Sequence, residues 1–559
     1  MLSYRATNGY QTARYNGGLC WSYYSFYPHP LDHSSAGTIH SYRDKNLRDF
    51  SLYVRRKNNW VAKSRDRRKF VKWLEKTRSN DYRRHCRYHL AWTRSDIEFA
   101  WRELANYRQY VEALREWGFA IEPDIDGVWR GDDIISLKIK EELIAAVATL
   151  EDIPGRGEAS IPDGTGQVTN LVDPYRWPAV YGRTIDQRTG ELLKIPHSIW
   201  FYGTKSEQED VEDSPRIIYD GYSSLSCLLA SEFIISKDGD ATKISSYIVG
   251  LHSPDQQRLF YPILENIFTK SIVLFEHVLA DLACSRPGST RDQGCTHDTQ
   301  RNPDVEVKPQ KARMGILVKD YHRKNREILA QFKSGGPITA DYSDDAQPLC
   351  WRHRGCQNRG IDCGGVSHKS HVIQIHESEI PLDLKDMWGP PNFSGGHDLR
   401  GRNLRVLVQF MTLAVTPEDP VSKDTPEWFM FGNLNESVVA VVTYCYAQEN
   451  VTEVRLNFVT IHNRQFNAAC RCGRSDFSVD QSESTIIKEN RVVAFPNLLP
   501  RKLESFEIID KTRGGHLKML TFYLCDPSLA HKMPTTRIVA PQTLETLSTP
   551  SVPRQNGPR

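Results

Sequence analysis

The first residues that suggest chemistry are five metal-ligating side chains in one stretch of sequence, Cys350, Cys356, Cys363, His368 and His371. Thiolate and imidazole groups are the ligands that tetrahedral zinc prefers. Their successive spacings are five, six, four and two residues, whereas zinc ribbons and fingers usually begin with a close pair of cysteines. We therefore keep these residues as a candidate zinc site and favour the interpretation that the loop is rich in Cys and His by coincidence.

A second feature is the basic segment from Tyr42 to Tyr88, which contains 17 Lys or Arg against 5 Asp or Glu, a difference of +12. Trp60, Phe70 and Trp73 lie among these cations. Because cations neutralise phosphates and aromatic rings stack on bases, weak contact with nucleic acid or another polyanion is one interpretation. The favoured alternative is a solvated basic helix, since no zinc-finger, RNA-recognition or basic-zipper pattern accompanies the charge.

The composition excludes several classes of protein. The chain has 559 residues, of which 39% are hydrophobic and 25% charged, as in globular proteins. No apolar run reaches the roughly 18 residues that span a bilayer. We expect no signal peptide either, because the first residues contain no apolar stretch. We expect an intracellular protein, cytoplasmic or nuclear and without a membrane partner, whose 12 cysteines stay reduced. The sequence also lacks a phosphate loop, a dinucleotide fingerprint and a nucleophile elbow.

The first half of the chain predicts helices. We expect residues 1–92 to be a basic, poorly ordered extension and residues 93–284 to be mainly helical. Ser95 and Glu98 suggest a capping box, and apolar residues follow at helical spacing. Further helices are predicted over 136–150 and 255–282.

The second half predicts strands. Residues 285–398 are rich in turn formers, so we expect an insertion and a long irregular connection. After them, β-rich runs with turns between them predict an antiparallel β-sandwich core over 399–540, followed by a disordered tail over 541–559. These runs cover 404–412, 437–446, 453–459, 491–495 and 517–524. Helices followed by antiparallel strands indicate an α+β protein.

Five blocks of the chain resemble, in the same order, the fungal domain-of-unknown-function family 4246. The first is LVDPYRWPAVYGRT at 171–184, and the second is SYIVGLHSPDQQRLFYPILENIF at 246–268. The others cover 399–420, 428–458 and 494–527. The resemblance therefore extends over residues 171–527.

The resemblance implies an iron(II) and 2-oxoglutarate-dependent oxygenase on a double-stranded β-helix, a jelly-roll-like fold. A Trp-His-x-Glu-Gly-x-x-Asn-Glu motif and a distal histidine would form a facial triad, which leaves positions on iron for cosubstrate and dioxygen. An arginine in a Gly-His-Arg-Lys segment would bind the 2-oxoglutarate carboxylate, because its planar fork suits that group.

This chain departs from the implied pattern at the ligand positions. Phe429 and Phe431 occupy the first His and the Glu positions, Arg501 aligns with the distal His, and Leu517 replaces the implied arginine. Phenylalanine has no lone pair for a metal, and a guanidinium cation repels one. The flanking residues that match the motifs are Trp428, Gly432, Asn435, Glu436, Phe495, Pro496, Asn497, Gly515, His516 and Lys518.

Besides nucleic-acid association through the basic segment, two hypotheses about the oxygenase site remain open from the sequence. The favoured one is a catalytically degenerate oxygenase-fold protein without bound iron or another cofactor. The alternative is an active oxygenase, with Fe(II) and 2-oxoglutarate, whose site is rebuilt from His516 and a carboxylate such as Glu436 or Glu427. None of the 18 histidines is followed two residues later by Asp or Glu, the spacing that a triad on one strand requires.

Overall fold

Helices and antiparallel sheets are mixed along the chain, which has the α+β composition that the sequence predicts. The structure is a computed structural model. It describes residues 27, 42–84, 92–153, 167–186, 189–194, 217–218, 223, 225–251, 253–283, 313–340, 347–349, 372–375, 388–391, 393, 397–423, 428–433, 435–458, 483–529 and 535–536. The helices of these residues are α1 Tyr42–Arg55, α2 Trp60–Lys63, α3 Arg67–Arg84, α4 Arg94–Glu116, α5 Leu137–Glu151, α6 Pro254–Ala283 and α7 Val318–Ser334.

The strands form sheets of unequal size. They are β1 Ile121–Pro123, β2 Trp129–Asp132, β3 Val168–Val172, β4 Ala179–Val180, β5 Ile217–Ile218, β6 Ser226–Cys227, β7 Ser231–Ile235, β8 Thr242–Ile244, β9 Arg313–Leu317, β10 Gln347–Leu349, β11 Val372–Ile375, β12 Asn403–Val415, β13 Trp428–Phe429, β14 Val438–Glu449, β15 Val454–Phe458, β16 Glu483–Ile487, β17 Arg491–Pro496, β18 Arg501–Leu503 and β19 Gly515–Cys525. All five predicted strands are present, as β12, β14, β15, β17 and β19.

The large sheet has the order β1-β2-β17-β14-β19-β12-β7-β8, and β3 also pairs with β12. Its central strands are buried on both faces, so side chains alternate between two cores. Tyr444 and Phe522 pack on the face that α4, α5 and α6 cover. Val441 and Tyr523 pack on the opposite face. The large sheet is therefore the middle layer of the molecule.

Strands from the first half of the chain complete this sheet. Residues 93–284 were expected to be mainly helical, yet β1, β2, β3, β7 and β8 all belong to the large sheet. These strands are only three to five residues long, which is too short for a clear alternating pattern. The sheet core thus extends beyond the predicted span of 399–540.

A smaller sheet lies against the second face of the large one. Its order is β16-β15-β18-β13-β5. Leu456 and Phe458 of β15 share one buried cluster with Val441 and Phe495 of the large sheet. Two sheets therefore enclose an apolar layer, and the strand order of the described residues does not close into a barrel.

The basic N-terminal segment is folded where the structure describes it, which corrects the expectation of a poorly ordered extension over 1–92. Phe50 of α1 and Phe70 of α3 are buried in a cluster with residues of α4 and α7. Arg48 forms ion pairs with Asp126 at 3.0 Å and with Glu483 at 3.2 Å. Part of the local positive charge is therefore neutralised by acidic residues of the core, which the local charge count alone did not predict.

The expected irregular connection over 285–398 contains regular structure as well. Strand β9 pairs with β10 and β11 in a three-stranded antiparallel sheet, and α7 follows β9 directly. Ile328 and Phe332 of α7 are buried against the N-terminal helices. The helix packs because its apolar residues recur three or four positions apart along one face.

None of the helices in the described residues combines the length and the apolar character that crossing a bilayer requires. The predicted tail over 541–559 lies outside the described residues.

Candidate functional site

The small sheet brings the first and third aligned ligand positions together. Strands β13 and β18 pair antiparallel, and Phe429 lies directly opposite Arg501. The guanidinium carbon of Arg501 lies 4.5 Å from the centroid of the Phe429 ring. Two residues that are remote in sequence are therefore neighbours.

The second aligned position belongs to the same group. The Phe431 ring stacks on the Tyr523 ring, with centroids 3.5 Å apart and an angle of 15° between planes. Tyr175 lies against Phe431 at 5.1 Å, and its hydroxyl accepts a hydrogen bond from the Gly432 amide at 3.0 Å. We call the residues Tyr175, Phe429, Phe431, Phe495, Asn497, Arg501 and Tyr523 the Arg501 cluster.

Asn497 is the polar centre of the Arg501 cluster. Its Nδ2 donates to the carbonyls of Phe431 at 2.9 Å and Val438 at 3.1 Å. Its Oδ1 accepts from the Phe431 amide at 3.1 Å and from Arg501 Nη1 at 3.3 Å. One buried side chain thus joins the segment after β13, the start of β14 and the β17–β18 turn.

Arg501 is a buried cation among aromatic rings. Only 4% of the residue is exposed, and the Phe495 ring lies 5.1 Å from its guanidinium carbon. The hydroxyl of Tyr523 interacts with its charge, and that hydroxyl donates a hydrogen bond to Gln409 Oε1 at 2.6 Å. Burial lowers the pKa of Arg501 below its ordinary value, yet a guanidinium stays charged in proteins.

Glu436 has a structural role in this arrangement. Its two carboxylate oxygens accept backbone hydrogen bonds from Leu228 at 2.7 Å and Asn433 at 2.6 Å. Burial raises the pKa of Glu436 to about 7, although these backbone donors favour the charged form. The carboxylate therefore holds the turn between β13 and β14 against the residue that follows β6.

Gly432 and Asn435 shape the same turn. Gly432 has φ 73°, a left-handed conformation that favours glycine. Asn435 donates to the Tyr181 hydroxyl at 2.8 Å and accepts from the Ser223 amide at 2.9 Å. Gly432, Asn435 and Glu436, three of the motif residues that this chain retains, thus all shape this turn or hold it in place.

His516 and Leu517 lie away from the Arg501 cluster. Both are at the start of β19, and His516 is opposite Ala414 and Glu449. At about 3.3 Å per residue along a strand, His516 lies roughly 20 Å from Tyr523. Burial, and then the charge of Lys518, lower the pKa of His516. Leu517 is fully buried in the apolar layer between the two sheets.

The remaining candidate ligands lie outside the described residues. These are Glu427 and the five residues of the candidate zinc site, Cys350, Cys356, Cys363, His368 and His371. Among the residues that are described, no three His, Cys, Asp or Glu side chains are grouped as a metal site requires.

Sequence reasoning missed two tyrosines of the Arg501 cluster. Tyr175 lies after β3 and Tyr523 lies near the end of β19, and both are in blocks that carry the family resemblance. Nothing in their local sequence distinguishes them from core aromatics, so no local signal identifies them. Phe429, Phe431 and Arg501 were found because the motif resemblance fixes their positions.

Comparison with known proteins gives one extensive match. A family model described as a protein of unknown function, DUF4246, matches residues 94–549. None of the curated proteins compared with the chain matches it.

Similar solved structures overlap with only a minor part of the chain. They include the Fe(II)/α-ketoglutarate-dependent dioxygenase TqaL, with 12% identity over 24% of this chain and 47% of that one, at a TM-score of 0.16. IDO from Bacillus thuringiensis has 8% identity over 28% and 71%, with a TM-score of 0.17. A bsmA homologue from Methylobium petroleophilum has 13% identity over 28% and 57%, with a TM-score of 0.16. The chain thus spans about half the length of TqaL, and at these TM-scores the likenesses carry no argument about this chain.

Proposed function

The chain belongs to the DUF4246 family of proteins of unknown function, and we propose that it is a catalytically degenerate oxygenase-fold protein that works without iron. We further propose that its two facing sheets correspond to a double-stranded β-helix. The observation that carries the proposal is the meeting of Phe429, Phe431 and Arg501 in one cluster.

The side chains at these three positions are unsuited to a metal. Two phenyl rings supply no lone pair, and the guanidinium supplies only donors and a positive charge. A divalent cation placed beside Arg501 would meet unscreened repulsion in a buried, weakly polar environment. The rings of Phe431 and Tyr523 are also in direct contact, so apolar packing occupies the position that the resemblance assigns to a ligand.

An active oxygenase with a rebuilt site is the alternative. His516 would have to act roughly 20 Å along β19 from Tyr523. Glu436 has both oxygens hydrogen-bonded to backbone amides, so ligation would release the turn that it holds. The distance of His516 and the backbone contacts of Glu436 support the degenerate function over a rebuilt site.

Calorimetric titration of the purified full chain with Mn(II), a redox-silent substitute for Fe(II), tests the proposal. We expect no binding heat from the folded wild type, with or without 2-oxoglutarate. Binding at micromolar concentration that strengthens with 2-oxoglutarate would refute the degenerate function. A triple variant, Phe429→His, Phe431→Glu and Arg501→His, tests whether these three positions correspond to the ligand positions of the motif. If the folded variant gains Mn(II) binding, the three positions are close enough to hold a metal together.

A second candidate function is contact with a polyanion through helix α3. Arg68, Lys69 and Lys72 are exposed, whereas Phe70 on the same helix is buried. Residues 68 and 72 are one turn apart, so they share a face of the helix. The surface that we propose for polyanion contact is therefore a small part of the predicted basic segment.

Fluorescence anisotropy with a labelled single-stranded oligonucleotide tests this second function. We expect affinity to fall steeply as salt increases, because each phosphate contact releases counterions. The triple variant Arg68→Glu, Lys69→Glu, Lys72→Glu should lose binding. If the variant binds the oligonucleotide as tightly as the wild type does, this surface is not the binding site. The same conclusion holds if the wild type does not bind the oligonucleotide at low salt.

A further inference from the structure

Arg501 differs from the other deeply buried arginines of the described residues. Arg491 forms a fork with both carboxylate oxygens of Asp132, at 2.6 and 2.8 Å. Arg55 donates to the backbone carbonyls of Pro123 and Asp124, at 2.7 and 2.6 Å. Within the described part of the chain, Arg501 has a 3.3 Å hydrogen bond to the Asn497 amide oxygen, and the Tyr523 hydroxyl interacts with its charge.

The positive charge of Arg501 is surrounded by aromatic rings, which stabilise it by cation–π attraction. No carboxylate of the described residues forms an ion pair with it, and the Asn497 oxygen and the Tyr523 hydroxyl beside it are both neutral. A buried charge is costly unless it is paired and hydrogen-bonded. A guanidinium has five N–H donors, so two acceptors leave several donors for a further partner.

A ligand that pairs with Arg501 would have a definite chemistry. A carboxylate matches the planar fork of arginine and supplies the negative charge. The nearby surfaces are rings, with Phe429 at 4.5 Å, Phe495 at 5.1 Å and Tyr523 at 6.0 Å from the guanidinium carbon. Flat, apolar ligand groups stack well on such rings.

The approach to Arg501 lies on the side of β13. Trp428 and Phe429 are only half-buried, whereas Phe431, Phe495 and Tyr523 are fully enclosed. Among the described residues around Arg501, those of β13 are thus the least buried.

We propose that Arg501 binds the carboxylate of a small aromatic acid, with the acid's ring lying against Phe429. The proposal goes beyond the degenerate-oxygenase function and does not depend on it, because it uses only the charge and surroundings of Arg501. Carboxylate binding at this position would give the fold a ligand without any metal.

The test uses the purified full chain in EDTA, so that metal binding plays no part. Benzoate is the probe, and benzamide is the control of the same shape without charge. We expect benzoate to raise the melting temperature and to bind in calorimetry, and benzamide to do neither. The variant Arg501→Met should lose at least about tenfold in benzoate affinity, since bonds to a charged group are strong.

Two further variants make the result decisive. Arg513→Met removes an exposed arginine (60% exposed side chain) and should bind benzoate as the wild type does. If Arg501→Met fails to fold, Arg501→Lys replaces it, which keeps the charge but loses the fork, and its benzoate affinity should also fall. Benzoate affinity unchanged in folded Arg501 variants, or no response of the wild type to benzoate, acetate or succinate, would overturn the proposal.

Discussion

Replacing Asn497 with alanine should loosen the Arg501 cluster more than any other single polar change. The side chain is 1% exposed and makes four hydrogen bonds, with the amide and carbonyl of Phe431, the carbonyl of Val438 and Nη1 of Arg501. Each buried group that loses its partner costs about 1–3 kcal/mol. Some relaxation around the shortened side chain reduces the sum, so we expect a loss of about 3–5 kcal/mol.

Urea-induced unfolding of Asn497→Ala measures the total loss, and hydrogen exchange of residues 428–433 measures the local one. We expect faster exchange at the Phe431 amide, whose acceptor has gone. Asn58→Ala is the matched control, because Asn58 is exposed, and it should change neither quantity. A loss below about 1 kcal/mol with unchanged exchange would refute the inferred role of Asn497, because even one unpaired buried group costs that much.

Three further predictions concern charge and packing elsewhere. Because burial raises the pKa of Glu436 from 4.5 to about 7, its contribution to stability is fully present below pH 4.5 and lost as pH rises through 7. The change is about 3 kcal/mol in the free energy of unfolding, and Glu436→Gln should remove it. Arg130 and Arg56 lower the pKa of Asp124 against the effect of burial. Asp124→Asn removes this buried negative charge, so we expect it to lower the free energy of unfolding by about 3–5 kcal/mol and to speed proteolysis in α1. Gly515→Ala should cost roughly 1–3 kcal/mol, since its Cβ would lie 2.6 Å from the Asn450 carbonyl oxygen.

A different result would contradict each of these three predictions. An equal pH dependence in wild type and Glu436→Gln would assign the effect to another group. Unchanged proteolysis of α1 in Asp124→Asn would mean that the apolar contacts of Phe50 hold the helix alone. Gly336→Ala is the control for Gly515→Ala, because its nearest neighbour is 3.6 Å away; equal melting temperatures for the two variants would exclude the steric argument.

The sequence alone predicted the long elements well. Strands β12, β14 and β19 have 11 to 13 residues, and such lengths carry enough β-forming residues to stand out. Helix α5 begins after Ser136 as predicted. The capping box of α4 was misassigned: it joins Thr93 and Asp96 rather than Ser95 and Glu98, because both pairs have the same spacing and only the backbone distinguishes them.

The motif resemblance predicts that Phe429, Phe431 and Arg501 occupy the three aligned ligand positions, and this assignment stays a prediction. That Phe429 lies opposite Arg501 was decided by the pairing of β13 with β18. Strand pairing between distant segments depends on the whole sheet, so the local pattern does not contain it.

Only the tertiary structure decided what Arg501 contacts. The sequence contains 69 acidic residues, any of which was available as a partner for a buried cation. The fold places Asp132 beside Arg491 and Asp124 beside Arg56, and it surrounds Arg501 with Phe429, Phe495 and Tyr523. Whether a charge is compensated depends on distances of a few ångströms between remote segments, and only packing sets those distances.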